Sequence, residues 1–286
     1  MPRGARGRLE AGGPIVLTTD FGLEDGYVGV MKGVILGISP RAQIVDLSHQ
    51  VRPQDVPDAA FLLWTSYRYF PAGSIHVVVV DPGVGGARRA IAVQTPAATF
   101  VAPDNGVLSR VLQDHGLEAP EPGRWPIAGA APVTAVELTN SRYWRPEVSA
   151  TFHGRDVFAP VAAHLSLGVS LADLGQPTDE LYLLPTPAPL RRGGEVVGRV
   201  THVDHFGNLV TNLRPADVLP LQPVELEVGG QVVRGLRRFY AEAEGLGALV
   251  GSAGLVEIAL TGGSAAKALG AGVGDEVVAR RGRFTG

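Results

Sequence analysis

Three stretches of this sequence end an apolar, β-branched run on an aspartate, with a glycine two residues later. They are Asp20-Phe21-Gly22, Asp81-Pro82-Gly83 and Asp104-Asn105-Gly106. The ends of parallel strands line one edge of a sheet, where open α/β folds hold their ligands, so the three carboxylates can converge on one crevice. Aspartate and glycine are also ordinary turn residues, and each motif alone reads as structure. It is the three together that point to a site. A carboxylate there can accept from hydroxyls or an ammonium, or take a proton. A fourth polar cluster, Thr151-Phe152-His153-Gly154-Arg155-Asp156, precedes a helical run. A lone histidine is usually structural, but one flanked by Gly, Arg and Asp is a candidate for acid–base work.

Familiar nucleotide and hydrolase motifs fail. Gly83-x-Gly85 follows a strand, but Arg88 stands where a GxGxxG needs its third glycine, and the strand is the third, not the first. There is no GxxxxGK[ST] and no GxSxG. His202 and Asp204 share a strand face with His205 beside them, which admits a metal site, although no HExxH or third-ligand motif supports it. The absence of cysteine excludes disulfides, thiolate catalysis and Cys-ligated metals.

The elements that must position these residues are visible in the hydrophobic pattern. Strands are expected over 14–19, 43–47 and 74–80, the last closing on four consecutive valines that should be buried on both faces. Helices are expected between them, one carrying Val28, Met31, Val34, Ile35 and Ile38, the other spanning 55–70. This alternation implies a mostly parallel sheet flanked by helices. Two more strands are expected at 90–94 and 99–102, and helices at 107–115, 156–167 and 170–174. Residues 116–132 read as an irregular surface segment. Prolines and glycines at 184–194 read as a linker, and beyond it period-two runs with glycine turns indicate a smaller β-barrel. The expected organisation is a disordered tail over 1–13, an α/β domain over 14–188 and a C-terminal β-barrel domain over 189–286.

A chain of 286 residues with 45% hydrophobic and 19% charged content has ample material for such cores. A formal charge of −3 argues against nucleic acid as partner. No apolar run approaches the ~20 residues of a membrane helix. The basic start, MPRGARGRLEAGG, lacks the apolar centre of a signal peptide, so a cytoplasmic location is expected.

Six ordered stretches carry a family resemblance: TTDFGLEDGYVGVMKGVI, VVVVDPGVGGARRAI, VAPDNGVLS, TFHGRDVFAP, VDHFGNLVTN, and GSAGLVEIAL with GGSAA. Together they resemble the S-adenosyl-L-methionine (SAM) hydrolases, also called SAM hydroxide adenosyltransferases, relatives of the fluorinases and chlorinases. The resemblance implies an N-terminal α/β domain, a C-terminal β-barrel and a homotrimer with active sites between neighbouring subunits. It implies cleavage of SAM to adenosine and L-methionine by water or hydroxide at ribose C5′, with no metal or other cofactor. The family's Asp–Arg–His set falls on Asp81, Arg88 and His153. The resemblance further places Asp20 on the ribose hydroxyls and Asp204 on the methionine ammonium. Phe206 and Asn208 fall at the adenine, Ser252 on the methionine carboxylate, and Tyr27 near the same end.

The halogenases' halide pocket is not evident. Gln54 falls near their ribose-side Trp, Ala253 replaces their Arg, and the spacing from Asp204 to Asn208 is one residue shorter than theirs. The sequence leaves open which of Asp81, Arg88 and His153 handles the proton. The alternative reading is a non-catalytic adenosine- or SAM-binding protein.

Overall fold

The computed structural model describes residues 12–127 and 132–282. Of the expected tail over 1–13, only Gly12 and Gly13 lie within them. The chain divides into two compact units, Met1–Thr186 and Pro187–Gly286.

The first unit runs β1 (Ile15–Thr19), α1 (Tyr27–Ile38), β2 (Ile44–Ser48), α2 (Val56–Ser66), β3 (Ser74–Val79), β4 (Ala90–Gln94) and β5 (Ala98–Pro103). There follow α3 (Ser109–Gln113), β6 (Gly123–Pro126), β7 (Thr134–Glu137), a π-helical turn (Gly154–Phe158), α4 (Ala159–Ser166), β8 (Gln176–Thr178) and β9 (Glu180–Leu183). Seven strands form one sheet in the order β2-β1-β3-β5-β4-β7-β8. The pairs β2-β1, β1-β3 and β3-β5 are parallel; β5-β4, β4-β7 and β7-β8 are antiparallel. The expected parallel sheet is therefore the half that carries the aspartate turns.

Val77–Val80 are buried as their pattern requires. Val77 and Val79 face a core shared with α1 and α4, while Val78 and Val80 face the one shared with α2 and α3. At roughly 1.5–3 kcal/mol per buried valine, the gross gain fixes the strand end firmly enough to carry a polar loop. In α1, Val28, Met31 and Ile35 form the buried stripe. Asp55 caps α2 by accepting from Asp58 N–H, with Pro57 in the first turn.

Two segments differ from expectation. Within 116–132, β6 pairs antiparallel with β9, its residues alternating in exposure; residues 128–131 lie outside the described residues. Within 184–194, Leu190–Arg192 pairs with Glu195–Val197 across Gly193 and Gly194, whose φ of 56° and 89° make the left-handed two-residue turn that suits a hairpin.

The second unit is one nine-stranded sheet. Its path runs Gln231–Arg234, Val224–Val228, Glu276–Arg281, Glu195–Val203, Leu209–Thr211, Val256–Leu260, Leu246–Val250 and Leu236–Arg237. Gln231–Arg234 also approaches Leu246–Val250, so the sheet nearly closes around Val196, Val200, Leu226 and Ile258. The expected barrel is this sheet.

One buried group of the first unit has an acid-stability consequence. His76 on β3 is fully buried, stacked on Phe100 and edge-on to Phe70, and neither ring nitrogen has a hydrogen-bond partner. Burial lowers its pKa from 6.5 to about 4. The folded state thus holds it neutral while the unfolded chain protonates near 6.5. Its contribution is intact above that pH and is lost as the pH falls toward 4, a difference of about 3 kcal/mol. His76→Phe is expected to flatten this acid limb by that amount in urea unfolding at pH 7 and pH 4; an unchanged pH dependence would contradict it.

Candidate active site

β3 delivers Asp81 to the end of the sheet, and the loop that follows turns Arg88 back onto it. Arg88 Nε donates to both carboxylate oxygens, at 2.9 and 3.0 Å, and Nη2 donates to Oδ2. Nη2 also lies 2.7 Å from His153 Nδ1. The side chains of Asp81 and Arg88 are 5% and 11% exposed, so this is a largely desolvated pair. The guanidinium lies 5.4 Å over the ring of Phe158, in the π-helical turn that begins beside His153.

Guanidinium can only donate, so His153 Nδ1 accepts, and the neutral ring carries its proton on Nε2. Burial, and next the charge of Arg88, lower the His153 pKa from its ordinary value. At neutral pH His153 is therefore an uncharged ring that donates from Nε2.

The loop bearing His153 is held by Asp156. That buried carboxylate accepts from Ser149 N–H (2.9 Å) and from Arg155 Nε and Nη2 (2.7 and 2.8 Å). Burial acts to raise its pKa, but the hydrogen bonds from Arg155 and Ser149, with the charges of Arg155 and Arg145, outweigh it and hold the carboxyl below its ordinary range. The Asp81 loop packs against the same segment. Gly85 has φ 73°, and a Cβ there would come 2.2 Å from the Ala150 carbonyl oxygen. This glycine is required by the meeting of two loops.

Asp20, Asp81 and His153 line one cleft of about 260 Å³, with Phe21, Gln54, Pro82, Thr151 and Phe152 among its other walls. Asp20 Oδ2 accepts from the backbone N–H of Gln54 (2.8 Å). Gln54 is the one non-glycine with positive φ among the described residues, at 65°, a strained conformation of the kind that concentrates at sites. The sequence flagged Gln54 only by its place near a halogenase Trp; nothing local announces its backbone. Tyr27 is half-exposed and meets Phe152 edge-on at 5.2 Å, with Phe21 completing an aromatic trio at the cleft rim.

Asp104 does not join the crevice. Its buried carboxylate takes Arg89 Nε and Nη2 (2.9 and 2.7 Å) and the N–H of Tyr182 (2.8 Å), bolting β5 to β9. The turn contributes through Asn105 instead, whose Nδ2 donates to the Val80 carbonyl (2.9 Å) and braces the strand end under Asp81.

In the second unit, Asp204 organises its own loop. Its carboxylate accepts from Phe206 N–H (2.9 Å), Asn208 N–H (2.8 Å) and Asn208 Nδ2 (2.8 Å). Three of its roughly four lone-pair positions are used, leaving one for an ammonium. Asn208 is buried, while Phe206 is 74% exposed. Ser252 sits exposed in a turn whose Gly251 packs on Glu257. Among the described residues no group of three or more His, Asp or Glu side chains is placed to hold a metal ion, His202, Asp204 and His205 included.

Sequence reasoning missed Glu257, a buried carboxylate near Asp204 that accepts from Oη of the half-exposed Tyr240. Burial, with the charge of Asp204, raises the Glu257 pKa against the opposing hydrogen bond. That hydrogen bond and then burial push Tyr240 up to about 12. Only a glutamate inside an otherwise apolar strand, VEIAL, signalled it.

The comparisons with known proteins agree with one another. The N-terminal domain of SAM hydroxide adenosyltransferases matches residues 15–175, and their C-terminal domain matches 198–278. A protein named (R)-S-adenosyl-L-methionine hydrolase from Salinispora arenicola is 42% identical over 267 residues, 92% of this chain and 96% of that one. A protein of the same name from Thermus thermophilus is 42% identical over 261 residues, 90% of this chain and 95% of that one. A fluorinase from Actinoplanes is 29% identical over 235 residues, 72% of this chain and 74% of that one. The crystal structure of an uncharacterized conserved protein from Thermotoga maritima superposes with a TM-score of 0.83 at 35% identity, covering 93% of this chain and all of that one.

Proposed function

The chain belongs to the SAM hydroxide adenosyltransferase family, and from that premise we propose that it hydrolyses SAM to adenosine and L-methionine, with Asp81, Arg88 and His153 as its catalytic residues. The observation that carries the site assignment is the contact chain Asp81–Arg88–His153 opening on a cleft shared with Asp20.

A water oxygen forms a bond to C5′ as the C5′–sulfur bond breaks, and the sulfur keeps the electron pair. The leaving group departs as a neutral thioether, so it needs neither a general acid nor a Lewis acid. What remains is to aim the water and to take its proton. Attack turns the water into a protonated alcohol, an acid far stronger than a carboxylic acid, so an ordinary carboxylate suffices as acceptor. Asp81 is that acceptor. Arg88 fixes its orientation and offers positive charge to an incipient hydroxide. His153, donating from Nε2, orients the attacking oxygen. It does not take the proton, because its Nδ1 is committed to Arg88.

Asp20, its carboxylate aligned by Gln54 N–H, holds the ribose diol. The cleft is smaller than the ~300–1,000 Å³ usual for small-molecule sites, so it takes only part of SAM. Tyr27, Asp204, Phe206, Asn208 and Ser252 complete the proposed substrate set. A homotrimer and a cytoplasmic location belong to the same reading; among the described residues no helix is long and apolar enough to cross a membrane.

The test is release of adenosine and methionine in equal amounts from SAM by purified protein. Because the relatives' name specifies the R sulfonium, that epimer is expected to be consumed first from a mixture. Adenosine no higher than in a buffer blank would leave only a nucleoside-binding protein.

A further inference from the structure

A second polar chain lies behind the Asp20 turn, and the proton chemistry above makes no use of it. His49 follows β2, is 3% exposed, and has its Nδ1 2.9 Å from Thr19 Oγ1. Its Nε2 lies 3.0 Å from Asp46 Oδ1, off the line of an ideal hydrogen bond. Asp46 in turn holds Lys32 Nζ at 2.6 Å. At the other end Thr19 Oγ1 accepts from Phe21 N–H (3.2 Å), and the His49 carbonyl accepts from Gly22 N–H (2.8 Å). His49 thus grips the Asp20-Phe21-Gly22 turn from both sides, once through its ring and once through its backbone.

The backbone is adapted to this. The parallel register of β1 on β2 pairs Leu17 with Asp46 but Thr18 with Ser48, a bulge at the last turn before the site. Bulges re-aim side chains, and one residue of slip here changes the face to which the following side chains point. A buried imidazole between a hydroxyl and a carboxylate is costly to desolvate unless held, and a held one rigidifies what it touches.

We propose that His49, through Thr19, is a positioning residue that fixes the Asp20 carboxylate for a ribose diol. The inference rests on the reading of Asp20 as the ribose ligand. Its test compares two nucleosides that differ only in the diol, by titration calorimetry with the full chain. Wild type should bind adenosine more tightly than 2′,3′-dideoxyadenosine. His49→Leu should weaken adenosine about tenfold, the scale of one charged hydrogen bond, and leave dideoxyadenosine within about twofold. Thr19→Val, nearly isosteric, should repeat this pattern and carries the test if His49→Leu does not fold. His49→Asn, which can still reach Thr19, should restore most of the adenosine affinity. Equal losses for both nucleosides in a folded variant, or no loss for either, would overturn the proposal while leaving the ribose reading intact. No wild-type preference for adenosine would instead sink the ribose reading, and the inference with it.

Discussion

Asp81→Asn is expected to lower kcat about a hundredfold or more, the usual range for loss of a positioned proton acceptor, with adenosine affinity within about threefold of wild type. The amide matches the carboxylate in size and can still accept from Arg88. It loses the capacity to take a proton, together with one of the two oxygens that accept from Arg88 and the charge opposite the guanidinium. About a hundredfold corresponds to about 2.7 kcal/mol of barrier, a cost that positioning of the water by Arg88 and His153 alone does not recover. Steady-state kinetics with SAM and calorimetry with adenosine separate the two effects. A kcat within about threefold of wild type would take the proton away from Asp81 and reopen His153 as acceptor.

The second large effect is at Arg88. Its removal leaves the Asp81 carboxylate, 5% exposed, without its partner. Stripping one member from a buried ion pair costs about 3–5 kcal/mol, far more than the pair contributes over a well-packed apolar substitute. Arg88→Ala is therefore expected to lose about 3 kcal/mol in urea unfolding at pH 7 and at least about tenfold in kcat. Removing Asp81 as well should return part of the stability but none of the activity. Arg88→Lys keeps the charge without the fork that spans both carboxylate oxygens and His153. It should recover stability better than turnover. An Arg88→Ala variant as stable as wild type would show that the pair is solvated in solution, contrary to its burial here.

What could be read from the chain beforehand followed from period and from motif. Val77–Val80, the α1 stripe and the strand–helix alternation through β3 stood out because buried strands and helix faces leave periodic signals. β6, β8 and β9 did not, being three or four residues long and carrying Pro126 and Pro177 at the ends or middle of weak patterns. Asp81, Arg88 and His153 were found through ordered motifs, not through spacing. The contact between Arg88 and His153 closes 65 residues of chain, and nothing local encodes it.

Gly85 of the DPGVGG loop makes room for the Ala150 carbonyl of the loop that carries His153, a role its turn-like sequence does not reveal. Asp104 was grouped with Asp20 and Asp81 because the three turns look alike in sequence. Its burial against Arg89 and Tyr182 N–H depends on where β4 and β9 run, which turn residues do not reveal. What the Gln54 backbone and His49 do was hidden for a similar reason. One acts through a left-handed backbone and the other through a strand bulge.

In the proposed reaction an oxygen from water replaces sulfur at C5′. The measurement that addresses it is incubation of the protein with SAM in oxygen-18 water, followed by mass spectrometry of both products. The expected result is adenosine carrying one heavy oxygen at its 5′-hydroxyl, with unlabelled methionine. Unlabelled adenosine, or methylthioadenosine with label in homoserine, would place the chemistry at a different bond and contradict the account.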